Sequence, residues 1–278
     1  MNEIYGVDPE APNDLQELRS MFERFGPSNG RFIGRYPDDW LSILESKFST
    51  LAGLDRSRLS VLLHRHRDTL LAIESQYFRT KDWADNAKNT RLFKKILSTS
   101  PNKQALPSLE EFLWDEVELD SSRGAFIPMT IEAYCQACRP LFTISSEVHM
   151  ADRYFQLRRE SGDLDRSKMS LLGGFLQIMK KMGKIQTLCL HFEQPKNFSK
   201  NRYEEVLQGD IEFLQNDTSI DIDYCIHRQM KHGRYIFSIK GGLQFDHGFR
   251  LERERDNHVH WLSTAELKPI YQTYGLSI

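Results

Sequence analysis

The feature that most restricts this fold is a change of hydrophobic period near residue 126. Before it, apolar residues recur every three or four positions, the spacing of helices with one buried face. After it, short apolar runs alternate with helical stretches, the pattern of a sheet interleaved with helices. The chain therefore reads as a helical amino-terminal domain over 1–125 followed by an α/β domain over 126–278. With 278 residues, 40% of them apolar, both parts have the material for a core.

In the first part, Pro37-Asp38-Asp39 opens a helix carrying Trp40, Leu41, Leu44, Phe48 and Leu51. A second is predicted from about Arg56 into the seventies, with Leu59, Leu62, Leu63, Leu70 and Ile73 on one side. A third carries Trp83, Ala87, Phe93 and Ile96, and an earlier short one holds Leu15, Leu18, Met21 and Phe22. Trp40, Trp83 and Trp114 are expected in the core, and residues 99–109, with two prolines, read as a loop. In the second part, strands are predicted near 147–155, 187–192, 220–226 and 235–239. Helices are predicted near 169–182, where Gly183 is a stop signal, and near 201–214. Gly241-Gly242 reads as a turn, and Ser263-Thr264-Ala265-Glu266 is a capping box for a last helix. The closely spaced final strands make the predicted sheet mixed.

Charge points to no partner by itself. Up to residue 125 there are 17 basic and 20 acidic side chains, and beyond it 20 and 19, for a net charge of −2. No apolar run is long enough for a membrane span, and the acidic start lacks the apolar core of a secretory signal, so a cytoplasmic location is expected. The cysteines, Cys135, Cys138, Cys189 and Cys225, include one CxxC and no second pair at zinc-finger spacing, and they read as reduced thiols. His258 and His260 share a strand face if extended, but no neighbouring carboxylate or cysteine completes a metal site in the sequence, so neither metal nor cofactor is expected.

Chemistry concentrates at expected strand ends: Asp152-Arg153, His191, His227 and His232-Gly233-Arg234. Ligands of α/β sheets gather outside the carboxyl ends of strands. His232 and Arg234 occupy alternate positions, which puts both on one face of an extended segment. A lone histidine at a strand end is more often a satisfied structural residue than a catalyst, and Asp152-Arg153 also suits a local ion pair. In the first part, His64-Arg65-His66-Arg67 reads as a solvated basic face. Arg31-Phe32-Ile33-Gly34-Arg35-Tyr36 suits either base stacking or packing of its aromatics onto the helices.

The runs VHMADRYF, TLCLHFEQ and HGRYIFSIKGGLQFDHGF resemble the phospholipase-D-like fold in a reduced form, as in the carboxy-terminal domain of some MIT-domain proteins and in bacterial relatives. Asp152 with Tyr154 and Phe155, His191, and His232-Arg234-Tyr235 before Gly241-Gly242 carry the likeness over roughly residues 126–278. Catalysts of that superfamily use His-x-Lys-x4-Asp twice. Here Arg234 stands at the Lys position, Ile239 at the Asp position, and no second copy is present.

The resemblance implies a phosphodiester ligand, nucleic acid and DNA before RNA, and a role in bacterial antiviral defence. It implies a metal-independent nuclease or phosphodiesterase in which His232 is nucleophile or acid, His191 the second acid/base and Asp152 an orienting carboxylate. Arg234, Arg153 and His227 would hold phosphate. A homodimer or larger complex would join two half-sites. The alternatives are an inactive binding module, which the missing Asp favours, and a scaffold subunit of a multiprotein complex.

Overall fold

The computed structural model describes residues 3–99, 106–115, 123–159, 161–196, 198–216 and 218–276. It divides into two compact units, Met1–Arg123 and Gly124–Ile278.

The first unit corrects the all-helical expectation. It contains four parallel strands, β1 (Glu3–Val7), β2 (Arg31–Arg35), β3 (Leu71–Ala72) and β4 (Lys95–Leu97), in the order β3-β2-β1-β4. The helices are α1 (Leu15–Arg24), α2 (Trp40–Lys47), α3 (Gly53–Arg67), α4 (Trp83–Thr90) and α5 (Leu109–Trp114). Strands covered on both faces show no polar–apolar alternation, and these are too short to declare a period. Tyr5, Val7 and Ile33 pack with Leu18, Met21, Trp40, Leu44 and Leu63. Gly6 and Gly34 leave room on the other face for the Phe93 ring, whose carbons lie 2.8 Å and 2.4 Å from where their Cβ atoms would be.

Phe93 and Ile96 therefore lie beyond α4, Ile96 within β4, and Ile73 just past β3. The run Arg31–Tyr36 is largely β2, with Arg31, Phe32, Ile33 and Tyr36 buried, so its aromatics are core. His66 stacks on Phe22 at 4.6 Å. Trp40 is buried as expected, but Trp114 is 77% exposed, because Leu109, Phe112 and Leu113 take the inward face of short α5. Residues 100–105 of the anticipated loop lie outside the described residues.

The second unit is a seven-stranded mixed sheet. Its elements run β5 (Gly124–Met129), α6 (Ile131–Ile144), β6 (Glu147–Asp152), α7 (Arg166–Met182), β7 (Thr187–Glu193), α8 (Lys200–Gln215) and β8 (Asp221–His227). They continue β9 (Arg234–Ser238), β10 (Gly241–Phe245), β11 (Glu252–Trp261) and α9 (Thr264–Tyr274). The strand order is β5-β11-β10-β9-β6-β7-β8. β6, β7 and β8 are parallel neighbours joined through helices, whereas β9, β10 and β11 form antiparallel hairpins.

Local signals account for the helix limits. Asp165 caps α7 by accepting from Ser167 N and Lys168 N, and Gly183 ends it in the left-handed conformation at φ 67°. Ser263 and Glu266 form a reciprocal capping box at the start of α9. Gly241-Gly242 is not the turn: both residues pair with β9, and Ile239-Lys240 make the two-residue hairpin.

The β6–β9 register decides where the chemistry falls. Asp152 stands opposite Arg234, and His149 opposite Phe237. Because side chains alternate, Asp152 and Arg234 project from one face, while His149, Ala151 and Phe237 project from the other. That second face packs on α9, where Ala151, Phe237, Leu267, Ile270 and Tyr271 form one cluster.

Candidate functional site

The face bearing Asp152 holds a cavity of about 620 Å³, lined among others by Asp152, Tyr154, Lys168, Arg234, His247 and Arg250. Asp152 ends β6 and is 4% exposed. Its carboxylate accepts from Tyr154 N at 2.9 Å and Phe249 N at 3.4 Å, and Arg234 Nε lies 3.9 Å away. Burial raises the Asp152 carboxyl above its usual range, against the pull of those hydrogen bonds and of the Arg234 and Lys168 charges.

Arg234, the first residue of β9, also donates from Nη1 to the Asp246 carbonyl, and its guanidinium lies 5.5 Å from the Tyr154 ring. Arg153 approaches the same ring at 5.2 Å, so Tyr154 is held between two cations. Lys168, in the first turn of α7, donates to the Tyr154 carbonyl at 2.8 Å. Burial lowers its ammonium, with Asp165 and Asp152 opposing. Close packing shapes the floor: a Cβ on Gly248 would lie 2.5 Å from both Arg234 Cδ and Asp152 Oδ2.

The wall is balanced toward positive charge. Asp152 is matched by Arg234, Asp165 by Lys168 at 4.0 Å and Glu252 by Arg255 at 3.3 Å. Arg250 has no ion pair among the described residues, and His247 lines the same cavity. The sequence reading missed Lys168, His247, Arg250 and Arg255. No spacing marks them, because they come from α7, the segment after β10 and β11, and meet only in three dimensions.

The other expected residues separate. His232 is exposed and lies at the rim, its Nε2 3.1 Å from the Tyr154 hydroxyl. Arg153 is tied to Glu193 at 3.0 Å. Ile239, at the position of the motif's Asp, is 62% exposed in the hairpin turn at the far end of β9 from Arg234.

His191 and His227 belong to the opposite face. His191 stands opposite Ala151 and Cys225, and His227 opposite Glu193, two residues on from His191 along the same face. They form a row: His149 Nδ1 lies 3.0 Å from His191 Nε2, and His191 Nδ1 lies 2.9 Å from His227 Nε2. Glu147 Oε1 lies 3.0 Å from His149 Nε2 at the end of the row. Phe237 stacks on His149 at 5.1 Å, and Tyr274 lies 4.6 Å from His191. Burial and the adjacent His149 and His227 push the His191 imidazole down to about 3, and burial lowers His149 and His227 as well. All three rings are thus neutral near pH 7, and none shares a reaction centre with His232.

Among the described residues, two groups have the donor types of a metal site. His149, Cys189 and His191 are buried, and Asp246, His258 and His260 are more exposed. In the second group Asp246 Oδ2 lies 3.3 Å from His258 Nδ1, so the carboxylate comes from another strand's end and not from the acidic residues beside the two histidines in sequence. Hairpin pairing brings it there, since Asp246 follows β10 and the histidines lie on β11. Cys135 and Cys138 lie on α6, and burial raises both thiols, Cys135 to about 11.

No family profile and no curated protein matches the chain. Solved structures that match include polyphosphate kinase from Porphyromonas gingivalis, at 14% identity and a TM-score of 0.34 over 88% of this chain. The chain spans only 36% of that kinase. Another is an archaeal chromatin protein described as showing a novel mode of DNA binding, at 12% identity and a TM-score of 0.29, over 94% of this chain and 92% of that one. At these scores neither likeness assigns an activity to this chain. Among the described residues no helix is long and apolar enough to cross a membrane.

Proposed function

We propose that the second unit is a phospholipase-D-like domain that binds a phosphodiester, with nucleic acid as the ligand and DNA favoured over RNA. The observation that carries this reading is the cavity that Arg234, Lys168, Arg250 and His247 line together with Tyr154 beyond the carboxyl end of β6. A guanidinium offers a planar fork to phosphate, a lysine a point charge, and an aromatic face a platform for a base. Arg234 and Lys168 act as the clamp, and Asp152 fixes the Arg234 fork from beneath. Binding without turnover is favoured over hydrolysis within one chain, because His191 is on the far face of the sheet from the Asp152–Arg234 pair. His232, at the rim, is the residue positioned to meet a second half-site in a homodimer.

The test is fluorescence anisotropy with labelled single- and double-stranded DNA and RNA across a salt series, beside cleavage assays in EDTA. Binding should weaken steeply with salt, and Lys168→Ala should reduce the salt slope by about one charge. Arg234→Ala should weaken binding to every sequence alike. Binding unchanged in both variants would overturn the assignment of this cavity. Cleavage in EDTA that disappears in His232→Ala would replace the binding reading with the hydrolytic one.

A further inference from the structure

The histidine row lies on the opposite side of the sheet from the phosphodiester cavity and has no part in that reading. We propose that His149, Cys189 and His191 form a zinc site on the α9 face of the second unit, with Cys225 as the fourth ligand.

The donor geometry supports it. His149 Nδ1 and His191 Nε2 are 3.0 Å apart, and Cys189 Sγ is 3.7 Å from His191 Nε2. Tetrahedral zinc, with bonds of about 2.0 Å to nitrogen and about 2.3 Å to sulfur, sets edges of roughly 3.3 and roughly 3.6 Å. All three donor atoms lie within 4.8 Å of one another on buried side chains. Cys225 stands opposite His191 in the β7–β8 register and interacts with the Cys189 thiol. It is exposed, and β8 is the edge strand, so an ion reaches the site from the sheet edge. Two imidazoles and the Cys189 sulfur are already clustered. The Cys225 sulfur, outside that cluster on the neighbouring strand, would close onto the ion as the fourth ligand. Such a mixed sulfur and nitrogen set selects zinc over the hard cations.

The outer contacts are the second observation. Metal-bound histidines hold their remote nitrogen against a carboxylate or another polar partner, which fixes the tautomer. His191 does so here, with His227 Nε2 2.9 Å from its Nδ1. His149 Nε2 is buried without a hydrogen bond, and the Glu147 carboxylate, 3.0 Å away, is the group that would turn onto it. Without a metal, a proton sits between His149 Nδ1 and His191 Nε2. On binding, each ligating thiol releases its proton to solvent. Both histidines stay neutral. The ring that carried the shared proton moves it to its remote nitrogen, His149 to Nε2 beside Glu147 or His191 to Nδ1 against His227 Nε2 as acceptor, so that both facing nitrogens are offered to the ion. The Asp246–His258–His260 group has no thiolate, and its Asp246 and His258 side chains are 45% and 35% exposed.

The experiment uses the full chain, reduced and stripped with EDTA, titrated with Zn²⁺ against a chromophoric chelator and separately with Co²⁺ under absorption spectroscopy. One zinc per chain is expected, together with a thiolate-to-cobalt charge-transfer band that Cys189→Ser abolishes. Glu147→Gln, at an exposed position, should bind zinc about ten- to hundred-fold more weakly. His258→Ala should bind as the parent does. Absence of stoichiometric binding, a cobalt spectrum without the thiolate band, or a loss in His258→Ala with none in Glu147→Gln would each overturn the site and leave a hydrogen-bonded histidine row. If Cys189→Ser does not fold by circular dichroism, the cobalt band of the parent and the Glu147→Gln affinity decide.

Discussion

Gly248→Ala is the sharpest probe of how the cavity is built. Gly248 has φ 69°, in the left-handed region, where a side chain costs about 1–2 kcal/mol. Its added Cβ would also lie 2.5 Å from Asp152 Oδ2 and Arg234 Cδ, closer than real Cβ contacts come. Arg234 has a flexible stem, but Asp152 is short and held by Tyr154 N and Phe249 N. Moving it forfeits the Phe249 bond, which adds about 1–2 kcal/mol. The expected total is about 2–4 kcal/mol. Gly183→Ala isolates the backbone part, because Gly183 has φ 67° with nothing within 4 Å of its Cβ position. It should cost about 1–2 kcal/mol. Gly209→Ala, exposed on α8 with open space around it, should stabilise by about 0.5–1 kcal/mol. Urea unfolding of the three variants against the parent reads these differences directly. A Gly248→Ala loss no larger than that of Gly183→Ala would refute the crowding argument. Retention of full nucleic-acid affinity by Gly248→Ala would refute the placement of Arg234 as the clamp.

Three further expectations follow from buried groups. The folded chain holds the Asp152 proton to higher pH than the unfolded chain, whose reference is 3.8. The stability this carboxyl contributes is therefore complete below 3.8 and is lost as pH rises through the raised folded value. Asp152→Asn should flatten that decline in urea midpoints measured across pH, and an unchanged profile would contradict it. Arg158 grips Asp210 in a fork, Nε to Oδ2 at 2.8 Å and Nη2 to Oδ1 at 2.7 Å, with Asp210 5% exposed and Arg158 38%. Arg158→Met strands that carboxylate and should cost about 1–3 kcal/mol, discounted from a fully buried pair because Arg158 is partly solvated. Thermal melts should recover much of the loss in Arg158→Met/Asp210→Leu. Trp40→Ala should cost about 3–5 kcal/mol, whereas exposed Trp114→Ala should stay within about 0.5 kcal/mol, as chemical denaturation will show.

Where information is local, the sequence is a sufficient guide. Helix α7 is legible from its apolar spacing and from Gly183, and α9 from the Ser263–Glu266 box, because caps and helical periods act over a few residues. Strands β6 and β7 are legible because short apolar runs, each interrupted by one histidine, end in the acidic residues Asp152 and Glu193. The four-stranded sheet of the first unit was not, since β1 and β2 are covered on both faces and β3 has two residues.

The candidate sites divide in the same way. The sequence by itself determined which residue types could do chemistry, and that Arg234 and His232 would come close together in the chain. Only the tertiary structure decided which of them meet. Strand register sets Asp152 against Arg234 on one face and His191 beside His149 on the other, a distinction that a shift of one residue would reverse. Lys168 reaches Tyr154 from a helix, and Asp246 reaches His258 across a hairpin, contacts that no spacing along the chain encodes. The physical reason is that side-chain type is a property of one position, whereas face, partner and burial are properties of how separate segments pair.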